Sequence, residues 1–231
     1  MSKIIEEAFK GLYPNKNFNY HSKIKYSAKF NSFNANIRKT SLSIEVRMSK
    51  NWRPISKEIK IGLIQNLLVK IFGYKKPTLY QDLYENFLKS VHLVIEKTKT
   101  DSFLEQHFND LNEKHFFGMM DKPNFTWCNS INKLGSYEYG SDTLSISVIL
   151  KDRPELLSYV MYHEMLHKKF KFTTKNGRSH HHTKEFRVKE REFSNSKELE
   201  KKLHRLVIDK KNITVPGTFG KLYKYLGFFQ L

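Results

Sequence analysis

A mixed α+β fold in two parts is what this chain of 231 residues predicts, on three observations. Stretches with an apolar residue at every second position alternate with stretches whose apolar residues recur at helical spacing. A short polar segment without periodicity, KTKTDS (97–102), separates the two parts. Apolar residues make up 39% of the chain, including 18 Phe and 12 Tyr, enough to fill a core. Residues 1–98 therefore read as a basic α+β module, and residues 99–231 as a second domain ending in a basic, aromatic tail.

The elements follow in order. After an N-terminal helical stretch, KIKYSAKF (23–30) and SLSIEVRM (41–48) alternate with a period of two and read as a hairpin or a pair of strands, with the Asn- and Ser-containing NSFNANIRKT between them. Trp52-Arg53-Pro54 breaks the pattern, Ser56 is placed to cap, and IKIGLIQNLLVKIFG (59–73) has helical spacing up to Gly73. A second helix is predicted from Leu79 to about Glu96. Past the boundary, FLEQHFNDLNEKHF (103–116) is an amphipathic helix. NFTWCNS (124–130), LGSYEY (134–139) and DTLSISVIL (142–150) then read as a three-stranded meander. Pro154, with Glu155 beside it, marks the first turn of a helix running through ELLSYVMYHEMLHKKF (155–170). No internal repeat is evident.

Composition excludes several classes. A single cysteine, Cys128, rules out an intramolecular disulfide and any zinc site built from Cys pairs, so a metal here must be held by His and carboxylate. No apolar run approaches the roughly 18 to 20 residues that span a bilayer, and the first residues have no signal-peptide apolar core, which together predict a cytoplasmic protein with no membrane partner. The net charge is +18, and residues 1–100 hold 19 Lys/Arg against 7 Asp/Glu while residues 101–231 hold 22 against 16. A field of that sign favours a polyanionic partner such as DNA.

The chemistry concentrates in HEMLH (163–167). Residues four apart on a helix share a face, so His163 and His167 can reach one metal ion. Glu164 is rotated about 100° from His163, which puts it beside the metal and not on it. Two His ligands with an adjacent Glu as general base is the pattern of a zinc hydrolase. Such a site needs a third ligand and an open position, and the candidates downstream are His180, His181 and His182, with Glu185 and Glu190 further along. The positions three and six after His167 hold Phe170 and Thr173, which excludes the metzincin pattern. Between the histidines, KKFKFTTKNGRSHHH sets Lys168, Lys169, Lys171, Lys175 and Arg178 beside the expected cleft as candidate nucleic-acid contacts.

LNEKHFFGMMDKPNFTW, LGSYEY, DTLSISVIL, PELLSYVMYHEMLHKKF and HTKEF, taken in this order, resemble the landmarks of the SprT-like metalloprotease family, which includes the Spartan proteases of DNA–protein crosslink repair. The resemblance covers residues 103 to about 195. It implies a zincin-like domain, one catalytic Zn2+, a peptide or protein substrate and action on DNA-associated or DNA-crosslinked proteins. Matched position by position, it makes His163, His167 and His182 the zinc ligands and Glu164 the catalytic base. His182 is followed by Thr183 where the family often has Gly, so His180 or His181 stays open as the third ligand. The alternative reading is a nucleic-acid-binding protein with a structural or inactive zinc site. The tail TVPGTFGKLYKYLGFFQL (214–231) is expected to pack onto the domain.

Overall fold

The computed structural model describes residues 2–73, 76–175 and 178–214, apart from the side chains of residues 174, 175, 178, 179 and 212–214. The expectation for the C-terminal tail lies almost wholly outside the described residues, as do the side chains of Lys175 and Arg178. The architecture is α+β, and no described helix is long and apolar enough to cross a membrane. Two compact units emerge, one comprising residues 1–95, 139–141 and 172–180 and the other residues 96–138, 142–171 and 181–231.

In the first unit, α1 (Lys3–Leu12) precedes β1 (His21–Ser27), β2 (Ala35–Lys39) and β3 (Ser43–Ser49). A 3-10 turn (Lys50–Trp52) leads to α2 (Lys57–Phe72), and α3 (Leu79–Ser90) follows. The local reasons are those read in the sequence: the Ser56 side chain caps α2 by accepting from Ile59 N–H, and Gly73 closes it with φ of 71°. A capping box of Thr78 and Gln81 opens α3, which stops at Ser90, short of Glu96. Of the two readings of these stretches, a hairpin or a pair of strands, the structure has the pair of strands. β1 and β3 pair in parallel, and β2, formed from the stretch read as a connector, pairs antiparallel with β3 at the sheet edge. The apolar face of this sheet (Ile44, Val46, Met48) packs with α1 and α2 in one core.

In the second unit, α4 (Ser102–Phe116) precedes β4 (Asn124–Cys128), β5 (Gly135–Glu138) and β6 (Thr143–Ser147). A 3-10 turn (Val148–Leu150) leads to α5 (Pro154–Phe170), and α6 (Lys184–Arg191) and α7 (Ser196–Thr214) complete it. The Asp101 side chain caps α4, and Phe117, with φ of 58°, ends it in the left-handed conformation. The meander is corrected: the order is β4-β6-β5, with β4 parallel and β5 antiparallel to the central β6. A parallel pair needs a crossover, and the chain between β4 and β6 supplies it while laying β5 on the far side. β5 is thus an edge strand.

The helix α5 lies at the centre of this unit, buried on nearly every side: Leu157, Tyr159, Val160, Met161, Met165 and Leu166 are all inaccessible. A helix that is apolar all round belongs in a core, so polar residues carried on it are held in a dry, rigid setting. Between α5 and α6 in sequence, the connection read as a basic loop forms a short ladder, β7 (Thr173–Lys175) with β8 (Arg178–His180), whose residues belong to the first unit.

The two units share a pattern that the sequence does not display. Each runs helix, three strands, 3-10 turn, buried helix, further helix, and each sheet is ordered first-third-second with the same parallel and antiparallel pairing. The likeness is one of element order and strand pairing.

Candidate metal centre

α5 carries His163, Glu164 and His167 in the half nearest its C-terminus, and Thr183 caps α6 so that His182 sits one residue before the cap. The three imidazoles converge. Their ligand atoms all lie within 4.8 Å of one another, and the Nε2 of His163 is 3.2 Å from that of His167 and 3.4 Å from that of His182. Tetrahedral ligands with bonds of about 2.0–2.1 Å stand about 3.3–3.4 Å apart, so the two distances from His163 are those of ligands sharing one small divalent ion. Phe186, fully buried, sits against all three rings, with centroids 4.7 to 5.1 Å away.

Burial pushes the His167 imidazole down to about 2 and that of His182 down to about 4, and the neighbouring rings add to both shifts. Neutral imidazoles are what a metal requires. Glu190 of α6 orients the centre: its Oε1 lies 2.5 Å from His163 Nδ1, and its Oε2 accepts from Arg187 Nη1 at 3.3 Å. Burial alone would raise the Glu190 carboxyl, but the bond to His163 and the adjacent positive charges leave it lowered. A carboxylate on the far nitrogen fixes the ring so that Nε2 faces the metal position. Glu190 therefore supports a candidate ligand and is not one itself. Glu185 and His180 are exposed, and the His181 ring lies 5.9 Å from that of His167.

Glu164 is 3% exposed. Burial raises its carboxyl to about 7, against the His163 and Lys133 charges and a hydrogen bond from the Tyr137 backbone N–H. That N–H belongs to the side of β5 turned away from β6: Leu134 O accepts from Ser147 N–H at 2.8 Å, and antiparallel alternation then turns Gly135 and Tyr137 outward. Gly135 makes the approach feasible, because a Cβ there would stand 2.7 Å from Glu164 Oε1 and 2.6 Å from Val160 Cγ1. Sequence reading missed Gly135, whose signal was its place as a glycine inside a strand pattern.

Of the expected nucleic-acid contacts, Lys168 is corrected. It is buried, and its ammonium donates to both oxygens of Asp142 at 2.6 and 2.8 Å, because helix geometry turns it inward. Asp142, itself inaccessible, also accepts from Lys97 Nζ and from the Tyr137 hydroxyl at 2.6 Å. This cluster joins α5 to β5 next to Glu164. Lys169 is exposed, with its ammonium 5.1 Å from the Phe116 ring, and Lys171 follows the helix end with φ of 58°.

No family model matches the chain, and no curated protein matches it. Among solved structures, the crystal structure of the metallopeptidase zymogen of Methanocaldococcus jannaschii jannalysin is similar, with 21% identity over 50% of this chain and 95% of that one, at a TM-score of 0.36.

Proposed function

We propose that this chain is a zinc-dependent peptidase of SprT-like type. The observation that carries the reading is the convergence of three imidazoles, one oriented by a buried carboxylate, beside a buried Glu whose carboxyl burial raises to about 7. His163, His167 and His182 would hold the ion, and a bound zinc supplies Lewis-acid polarisation of the scissile carbonyl. Glu164 does the proton work: its carboxylate takes a proton from the attacking water and returns it to the leaving amine. A carboxyl near 7 suits both steps, since it gains and loses a proton at small cost. β5 is the edge strand of its sheet, the position where an extended peptide would pair by strand addition, and such pairing accepts many sequences. A net charge of +18 supports substrates held on DNA.

The test is paired. Metal content by elemental analysis, and cleavage of a DNA-bound basic protein with and without DNA, are measured for wild type and Glu164→Gln. One zinc in each protein with cleavage only by wild type is the expected result. Equal cleavage by both proteins, or no metal in wild type, refutes the proposal.

A further inference from the structure

The two units agree in detail as well as in element order. Ser49 N–H donates to Asn34 O at 2.9 Å in the first unit, as Ser147 N–H donates to Leu134 O at 2.8 Å in the second. α1 buries Ile5, Phe9 and Leu12, and α4 buries Leu104, Phe108 and Leu111 at the same spacing. The buried helices end alike: Gly73 N–H bonds Val69 O and Lys171 N–H bonds His167 O, each at 2.9 Å and each from a residue with positive φ. The next helix opens on a Thr cap in both, with Gln81 N–H on Thr78 Oγ1 at 3.2 Å and Phe186 N–H on Thr183 Oγ1 at 3.3 Å.

Counting back from the shared helix end places Gln65 at the position of His163, Asn66 at that of Glu164 and Val69 at that of His167. The residue before the Thr cap is Pro77 in one unit and His182 in the other. We infer that the first unit is a second copy of the metal-binding unit, in which the metal position has become a neutral hydrogen-bond network. Gln65, Asn66 and Gln81 are all buried. Thr78 Oγ1 donates to Gln65 Oε1 at 2.5 Å, Gln81 Nε2 donates to Asn66 Oδ1 at 2.7 Å, and Gln65 Nε2 donates to Ala8 O at 3.4 Å.

These bonds tie α2 to the start of α3, the connection that an ion held by His163, His167 and His182 would make between α5 and the start of α6. Val69 has no donor atom, and the Asn66 amide cannot accept the proton that a carboxylate takes. Among the described residues, the first unit therefore offers no such set of ligands, and the second unit's His163, His167 and His182 are the one set for two copies of the fold. Its polar centre is complete without an ion because every amide oxygen named has a partner.

The inference rests on the proposed function only for the role of the second unit, and the test separates the two. Zinc content and affinity, by elemental analysis and chelator competition, are compared for full-length wild type, Q65H/V69H, Q65H/V69H/P77H and the control Q65H/V69H/K76H. Two His four apart bind metal weakly on any helix, so the third ligand is the discriminating step. The P77H triple variant is expected to hold one more zinc than wild type, about tenfold or more tighter than the double variant and the control do. No added zinc, or an equal gain from position 76, overturns the equivalence. A wild type without zinc would refute the peptidase and leave this difference readable. Where circular dichroism shows the variants unfolded, hydrogen exchange of wild type decides: chelation is expected to loosen α5 and α6 and leave α2 and α3 unchanged. Equal loosening of α2 and α3 overturns the inference.

Discussion

Replacing Glu190 tests whether the metal centre is built from the outside in. Its Oε1 is 2.5 Å from His163 Nδ1, in a setting where His163 is 2% exposed and Glu190 4%. Glu190→Gln keeps the shape and an oxygen able to accept from Nδ1–H but removes the charge, while Glu190→Ala removes the acceptor too. Loss of such a partner costs about 10 to 100-fold in metal affinity, or about 1.4 to 2.7 kcal/mol. Gln should fall near the lower figure and Ala near the upper, where His163 also loses the bond that holds its tautomer. The assay is competition for zinc against a chromogenic chelator at neutral pH, with circular dichroism to confirm folding. Unchanged affinity in a folded Glu190→Ala protein would refute the assigned role of Glu190.

Three further outcomes follow from the same geometry. Gly135→Ala puts a methyl within 2.7 Å of both Val160 Cγ1 and Glu164 Oε1, so stability should fall by about 1–3 kcal/mol. Peptidase activity should drop with metal content intact, as read by urea unfolding and elemental analysis. Asp142→Ala leaves the buried Lys168 ammonium without its counter-charge and should cost about 3–5 kcal/mol, much of it recovered in Asp142→Ala/Lys168→Met; chemical denaturation of both variants checks this. Glu45 of β3 is held down to about 2 by Lys23, Arg47 and Lys25. Its unfolded carboxyl titrates near 4.5, so the stability it contributes is full above that pH and is lost as pH falls toward 2. Acid unfolding followed by circular dichroism should be shallower over that window in Glu45→Gln.

The sequence by itself determined the local features whose causes are local. Helical spacing and caps at Ser56, Gly73 and Pro154 located α2 and α5, because capping and periodicity act within a few residues. The His-Glu-x-x-His spacing put two imidazoles on one helix face for the same reason. His182 was reached through the family pattern, and the structure brings it to the other two. Strand order needed the tertiary structure, since a period of two says which face is buried but not which strand lies alongside. The first sheet thus reads as a hairpin or a pair of strands and the second as a meander, whereas each places its third strand in the middle.

Only the fold could decide where charges end. Lys168 reads as one of a run of surface cations, and its ammonium is instead fixed on Asp142, 26 residues earlier in the chain. Glu190 reads as one of several candidate ligands and is the support of His163. The repeat stayed hidden because a core constrains size and apolarity more than identity. Ile64 and Tyr162 occupy equivalent buried positions with different side chains, and at the centre Gln65 and Asn66 replaced the two residues that would have announced the motif a second time.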